Sequence, residues 1–330
     1  MSEAHVYPVL NEALTFIYES PGKGYGIFAA KEIIKGTRII NEVPLIRLAT
    51  GASTFQDLQI AWEMVPHHRS HEVVNLSFTA HSEGPQQNLH WIFEQNAYNG
   101  VDERILVVKA ARINHSCRPN AFGRINELTN AFTVQVFKDL RPGDEILMCY
   151  CQIEQNSLIR KEQLRPFNFE CTCAICDISV VNHQFVHEAN ESRLELEGLR
   201  ANLDALKAVG NLNHANIEQG LECVDRILEL AEKESFIEWV IFACSFAADA
   251  FLRKGDREKA LLWKMEEKKF VEQAYGLDTV EGNEVTKWLD KEGFRGTKYL
   301  WHVYSETSGQ IDSRIMNFKP KRGVWRDVSD

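Results

Sequence analysis

The chain has 330 residues, 44% of them hydrophobic and 25% charged, the composition of an ordinary globular protein with room for one large or two medium domains. Its formal net charge of −10 argues against broad binding to nucleic acid or anionic lipid, both of which call for a basic surface. The opening Met1-Ser2-Glu3-Ala4-His5 has no basic stretch leading into an apolar one. No uninterrupted apolar run approaches bilayer length, so the expectation is an intracellular protein, nuclear or cytoplasmic, that does not enter a membrane.

In chain order, Ala13 to about Leu48 reads as short strands broken by glycines: Leu14 to Tyr18, a turn at Pro21-Gly22-Lys23-Gly24-Tyr25-Gly26, then Ile27 to Ala29 and Thr37 to Ile40. Glu42-Val43-Pro44 reads as a strand end with a turn and is assigned no chemistry. Between about Ser53 and Ala97 the apolar spacing lengthens, as in helices inserted into a β domain. His67 and His71, spaced i, i+4, would share a helix face, but no carboxylate or cysteine completes a ligand set and a solvated surface is expected. Strand character returns at Ala121 to Asn126 and Phe132 to Phe137, joined by a polar turn containing Asn130. Arg141-Pro142-Gly143-Asp144 then turns into Glu145 to Tyr150.

Past Asp177 the pattern is amphipathic helix, with Leu196, Leu199, Leu203 and Leu206 on one face and Leu221, Val224, Ile227, Leu228 and Leu230 on the next. Gly255-Asp256 separates the segment Phe236 to Arg253 from Glu258 to Ala274, which suggests antiparallel hairpins like those of helical repeat proteins. The domains expected are therefore a β-rich one over 1–160 with a helical insertion at about 53–97, a cysteine-rich segment over 161–178, a helical domain over 179–305 and a flexible tail over 306–330.

Of eight cysteines, three are packed as Cys171-Thr172-Cys173-Ala174-Ile175-Cys176 and a fourth, Cys117, lies in Asn114-His115-Ser116-Cys117-Arg118-Pro119-Asn120. In a reducing compartment such clustering reads as one tetrahedral zinc site, a structural clamp between two separated segments with no open position for water. Cys223 and Cys244, in apolar helical stretches, are expected in the core. The segment from Asn114 to Asn120 is a poor core sequence, because dense polar groups are costly to bury unless each is paired. If Cys117 shares a metal with the cysteine triplet, then Asn114, His115 and Phe169 must come close in space.

Four pieces in one order carry a resemblance: Gly22-Lys23-Gly24-Tyr25-Gly26-Ile27-Phe28-Ala29, then Arg112-Ile113-Asn114-His115-Ser116-Cys117-Arg118-Pro119-Asn120, then Gly143-Asp144-Glu145-Ile146 running to Tyr150, then Phe167-Asn168-Phe169-Glu170 before the cysteines. Over about Phe16 to Asp177 the chain resembles the SET-domain protein-lysine methyltransferases, in particular the SET-and-MYND-like branch and the fungal SET proteins without the MYND finger. The resemblance implies an α+β fold: a β-rich SET domain with a pseudoknot, a helical insertion, a zinc-bound segment after the SET domain and an all-helical, TPR-like C-terminal domain. It implies S-adenosylmethionine as cofactor, contacted by Lys23, Gly24, Tyr25, Asn96, Asn114, His115, Tyr150 and Phe169. Tyr150 would face the transferring methyl, and Cys117, Cys171, Cys173 and Cys176 would hold a structural zinc. The glycine segment also has a plain reading as a tight turn, and Asn96 stands in Gln95-Asn96-Ala97-Tyr98, after the inserted helices. The chain departs from the family pattern at Ala111, Asp144 and Cys149, none of which removes a proposed contact.

The implied partner is a protein substrate with a target lysine, on a histone or another protein, with no direct nucleic-acid contact and a monomeric enzyme. The other function class is a catalytically weak SET-domain scaffold that binds protein partners through its helical half. The intact Asn114, His115 and Tyr150 favour the enzyme.

Overall fold

A computed structural model describes residues 10–51, 54–76, 85–100, 102–177, 183–208 and 214–293. The expected tail over 306–330 lies outside the described residues. Strands β1 (Thr15–Ser20), β2 (Gly24–Ala29), β3 (Arg38–Glu42) and β4 (Ile46–Ala49) come first. Helices α1 (Phe55–Glu63), α2 (Ser70–Val74) and α3 (Pro85–Asn96) follow, then β5 (Ala97–Asn99), β6 (Glu103–Leu106), β7 (Asn114–His115), β8 (Ala121–Asn126), β9 (Ala131–Val136) and β10 (Glu145–Met148). Beyond them are α4 (Ser157–Leu164), α5 (His183–Ala208), α6 (His214–Glu234), α7 (Ile237–Arg253), α8 (Arg257–Ala274) and α9 (Val280–Gly293). The class is α+β with a helical C-terminal region, as expected.

Packing divides the chain into two units, one of Met1–Asn190 with Gln273–Val280 and the other of Glu191–Glu272 with Glu281–Asp330. Within the first unit three small sheets form, in strand order β1-β2-β10-β7, β3-β9-β8 and β4-β6-β5. Ile27, Ile40, Ile113, Val134 and Ile146, all fully buried, join the first two sheets in one core. The β8–β9 turn holds Asn130 at φ 54°, where its short polar side chain tolerates the left-handed region. The inserted helices bury Leu58, Val73, Ile92 and Phe93 against Ile46 and Leu106 of the third sheet, which the sequence reading did not anticipate. α1 starts with a capping box in which Thr54 and Asp57 satisfy each other's backbone N–H.

His67 lies in a 3-10 turn and His71 in α2, both exposed, so they do not share the helix face that their spacing suggested. The 3-10 turn winds three residues per turn and α2 begins only at Ser70, so the two histidines do not keep an α-helical register.

The second unit is helical among its described residues. Leu196 and Leu203 of α5 and Val224, Ile227 and Leu230 of α6 are buried, on the faces the apolar spacing marked. Cys223 and Cys244 are buried, as expected. Arg193 and Glu234 form a fully buried ion pair, with the Arg193 guanidinium 5.1 Å from the centre of the Phe236 ring. α7 and α8 are separated at Gly255, whose φ of 78° suits a residue without a Cβ.

Candidate functional site

Two crossing segments make the site. β10 pairs antiparallel with β2 on one side, and on the other it pairs parallel with β7, placing Leu147 beside Asn114 and Met148 beside His115. A parallel pair needs a long crossover, which here runs through β8 and β9. The polar knot from Asn114 to Asn120 is satisfied in part by β10 and the residues that flank it and in part within itself. The Asn120 amide donates to the Glu145 carbonyl at 2.8 Å, and its Oδ1 accepts from the Leu147 N–H at 2.8 Å, so one side chain extends the ladder as a backbone unit would. The Ser116 N–H donates to the Met148 carbonyl at 2.9 Å, and the Ser116 hydroxyl oxygen accepts from the Arg118 N–H at 3.1 Å.

The β1–β2 turn closes one side of the site, with Gly22 at φ 74° and Gly24 at φ 76°. Gly26 is fixed by proximity: a Cβ there would stand 2.5 Å from Glu145 Oε1 and 2.8 Å from Asn114 Nδ2. That closeness lets the Asn114 amide donate to Glu145 Oε1 at 2.7 Å, with a longer bond to the Tyr25 carbonyl at 3.4 Å. Lys23 Nζ approaches the other Glu145 oxygen at 3.4 Å. Glu145, to which the sequence reading gave no role, thus joins the glycine turn to the Asn114 segment. Its sequence signals were its place at the start of a strand and in the Gly143-Asp144-Glu145-Ile146 piece.

A cavity of about 240 Å³ opens between these segments. Lys23, Tyr25, Asn96, Asn114, His115, Tyr150 and Phe169 line it, with Arg112 and Phe167 among the others; Gly24 is not in the lining. Asn96 reaches it from the end of α3, where its amide donates to the Ile92 carbonyl at 2.9 Å. Tyr150 lies two residues past the end of β10, where the sequence reading had extended the strand. Its hydroxyl donates to the Ile113 carbonyl. Its ring lies 5.0 Å from Phe167, and the His115 ring lies 5.8 Å from Phe169. Burial first, and the Glu145 charge second, push the Tyr150 hydroxyl above the usual phenol range, so it stays protonated at neutral pH.

The four cysteines are brought together as the spacing required, although Cys117 is remote in sequence. The sulfurs of Cys117, Cys171, Cys173 and Cys176 all lie within 4.8 Å of one another. The Cys117 sulfur is 3.5 Å from that of Cys176 and 4.0 Å from that of Cys171. Tetrahedral thiolates bound at about 2.3 Å stand about 3.8 Å apart, so the spacing fits a single metal ion. The Cys176 N–H donates to the Cys173 carbonyl at 2.8 Å, which closes the turn presenting both thiols.

His115 connects the metal cluster to the cavity. Its Nδ1 accepts from the Tyr150 N–H at 3.0 Å, and its Nε2 stands 3.2 Å from Cys117 Sγ. With Nδ1 accepting, the proton belongs on Nε2, directed at sulfur. Burial, the first cause, lowers the His115 pKa to about 4, which keeps the ring neutral. Both ring nitrogens are engaged within the protein. Cys151, unassigned in the sequence reading, sits in the same cluster with His115 and Cys117, and its sulfur is 3.5 Å from that of Cys149. Its one sequence signal is that it follows Tyr150.

Residues 24–151 match the SET domain, so this stretch of the chain is a SET domain. Over 276 residues the chain is 25% identical to histone-lysine N-methyltransferase set5 of Schizosaccharomyces pombe, with 82% of each chain covered. It is 30% identical over 165 residues to histone-lysine N-methyltransferase SMYD3 of Mus musculus, a match that covers 46% of this chain and 35% of that one. Among solved structures, the SET domain of LSMT bound to lysine and AdoHcy is 10% identical, with 93% of this chain and 95% of that one covered, at a TM-score of 0.34, too slight a likeness to support any inference.

Proposed function

We propose that the chain is a protein-lysine N-methyltransferase that takes its methyl group from S-adenosylmethionine and holds a structural zinc at Cys117, Cys171, Cys173 and Cys176. The observation that carries this reading is the convergence of Tyr25, Asn96, Asn114, His115 and Tyr150 of the SET domain, with Lys23 and Phe169 outside its matched residues, on one cavity. The names of its relatives, histone-lysine and protein-lysine methyltransferases, point the same way. The donor set suits the cofactor: aromatic rings for a purine, an asparagine amide and backbone groups for its edges, and glycines that allow close approach.

When bound, S-adenosylmethionine supplies a methyl group activated by a positive sulfonium. The chain's own residues have two tasks, alignment and delivery of an uncharged amine. With a reference lysine pKa of about 10.4, neutralising the ammonium at pH 7 costs roughly 4 to 5 kcal/mol. An apolar channel lowers that cost by disfavouring the charged amine, and the rings of Tyr150, Phe167 and Phe169 form such a wall. Tyr150, protonated and half-buried, serves as an orienting hydroxyl and not as a base. Asn114 holds its amide between Glu145 and the Tyr25 carbonyl, fixed before any ligand arrives. His115 contributes through its backbone, since its ring is committed to Tyr150 and Cys117.

The substrate is a protein carrying a target lysine, and the enzyme acts in the nucleus or cytoplasm as a monomer without direct nucleic-acid contact. The SET core over 1–160 with its insertion, the cysteine segment over 161–178 and the helical domain over 179–305 are the functional divisions. The test is to incubate the zinc-loaded protein with S-adenosylmethionine labelled in the methyl group and with histones or other lysine-rich proteins, then hydrolyse and separate the amino acids. Label in methyl-lysine that is lost in Tyr150→Phe supports the reading. Label in another residue, or equal label with Tyr150→Phe, overturns it.

A further inference from the structure

Arg160, on α4, is the largest charged side chain in the first unit that is 0% exposed. A guanidinium so deeply buried calls for an anion, because a buried charge without one is strongly destabilising. No carboxylate among the described residues pairs with it. Its terminal nitrogens donate to the carbonyls of Gln155 and, at 3.3 Å, Ile175, and one of them stands 3.6 Å from Cys176 Sγ. Its Nε has no partner among the described residues. The negative charge available to it is therefore on sulfur. Four neutral thiols would leave Arg160 uncompensated. Four thiolates around a divalent cation carry two surplus negative charges.

We infer that Arg160 is the counter-charge of the metal–thiolate centre, an inference that rests on the zinc reading above. It acts at Cys176 and through the carbonyl of Ile175, while His115 directs Nε2–H at Cys117, so two different sulfurs each receive a donor. Outer partners of this kind orient the ligands and tune the metal. Arg160 is thus a positioning residue: α4 presents one positive charge to the cysteine loop, which holds the loop in its metal-bound form and slows loss of the ion. Arg160→Lys keeps the charge, whereas Arg160→Gln keeps polarity and removes it.

The experiment measures zinc transfer from the loaded protein to a chromophoric chelator for wild type, Arg160→Gln and Arg160→Lys, and records the sulfur-to-metal absorption of the cobalt-substituted proteins. Arg160→Gln is expected to release zinc roughly tenfold faster or more, the scale on which such partners act, with a shifted cobalt band; Arg160→Lys should stay nearer wild type in both. Release from Arg160→Gln at the wild-type rate, or from Arg160→Lys as fast as from Arg160→Gln, overturns the inference. Should Arg160→Gln fail to fold, Arg160→Lys decides: release near the wild-type rate supports the inference and release roughly tenfold faster overturns it. Wild-type protein that retains no zinc after purification from zinc-supplemented medium overturns the zinc reading itself.

Discussion

The backbone N–H of Tyr150 donates to Nδ1 of His115 at 3.0 Å, while the other nitrogen of that ring stands 3.2 Å from the sulfur of Cys117. One histidine thus ties the residue proposed for the chemistry to the residue proposed for the metal. His115→Ala is expected to lower methyl transfer and speed zinc loss together, because it leaves the Tyr150 N–H and the Cys117 sulfur without their partner. Activity assays and chelator-competition rates on one preparation check this. A change in only one of the two would separate the functions that the histidine is held to join.

Tyr150→Phe removes the hydroxyl that the Ile113 carbonyl orients, and keeps the ring against Phe167. Methyl transfer should fall about a hundredfold or more, the scale for a positioned hydroxyl or electrostatic donor, with cofactor binding nearly unchanged. Because burial holds that hydroxyl above the ordinary phenol range, wild-type kcat should show no tyrosine ionisation below about pH 10. A pH series of kcat up to that limit is the check.

Gly26→Ala places a methyl group 2.5 Å from Glu145 Oε1 and 2.8 Å from Asn114 Nδ2. The Asn114–Glu145 bond must give way, at a cost of about 1 to 3 kcal/mol for overpacking. Denaturant unfolding should report that loss. Cofactor affinity should fall with it, since Asn114 loses its fixed geometry.

Glu42, 1% exposed, accepts from the N–H groups of Val108, Lys109 and Ala110, at 3.1, 2.8 and 3.4 Å, just ahead of the turn that delivers Asn114. Glu42→Ala strands those donors, and the expected destabilisation is roughly 1 to 3 kcal/mol. Glu42→Gln retains an acceptor oxygen and should lose less. Urea midpoints of the two variants against wild type decide the order.

Removing zinc with a chelator, or substituting Cys173→Ser, should weaken cofactor binding. Phe169 stands two residues before Cys171 and lines the cavity, so the metal holds its wall. Titration of the chelated protein checks this, and unchanged affinity would show that the wall stands without the metal.

The sequence was most legible where chemistry is dense. Four thiols at metal spacing and the knot from Asn114 to Asn120 announce themselves because such residues have few other reasons to cluster. The β8–β9 hairpin and the long helices were also readable, the first from its turn around Asn130 and the second from leucine spacing. The third sheet was not. β5 follows α3 without a break and has three residues, and β4 and β6 have four each, too short for alternation to show. Glu42, Glu145 and Arg160 escaped for a common reason. A charged residue in a strand or an amphipathic helix reads as solvent-facing, and its placement depends on partners as far as 68 residues away for Glu42 and 122 for Glu145, and on a sulfur cluster for the arginine.

The most direct measurement is calorimetric titration of the folded, zinc-loaded protein with S-adenosylmethionine, with Asn114→Ala alongside. Saturable binding in wild type that is lost in Asn114→Ala is the result this account predicts. Absence of binding by the folded wild-type protein, or equal binding by the variant, would contradict it.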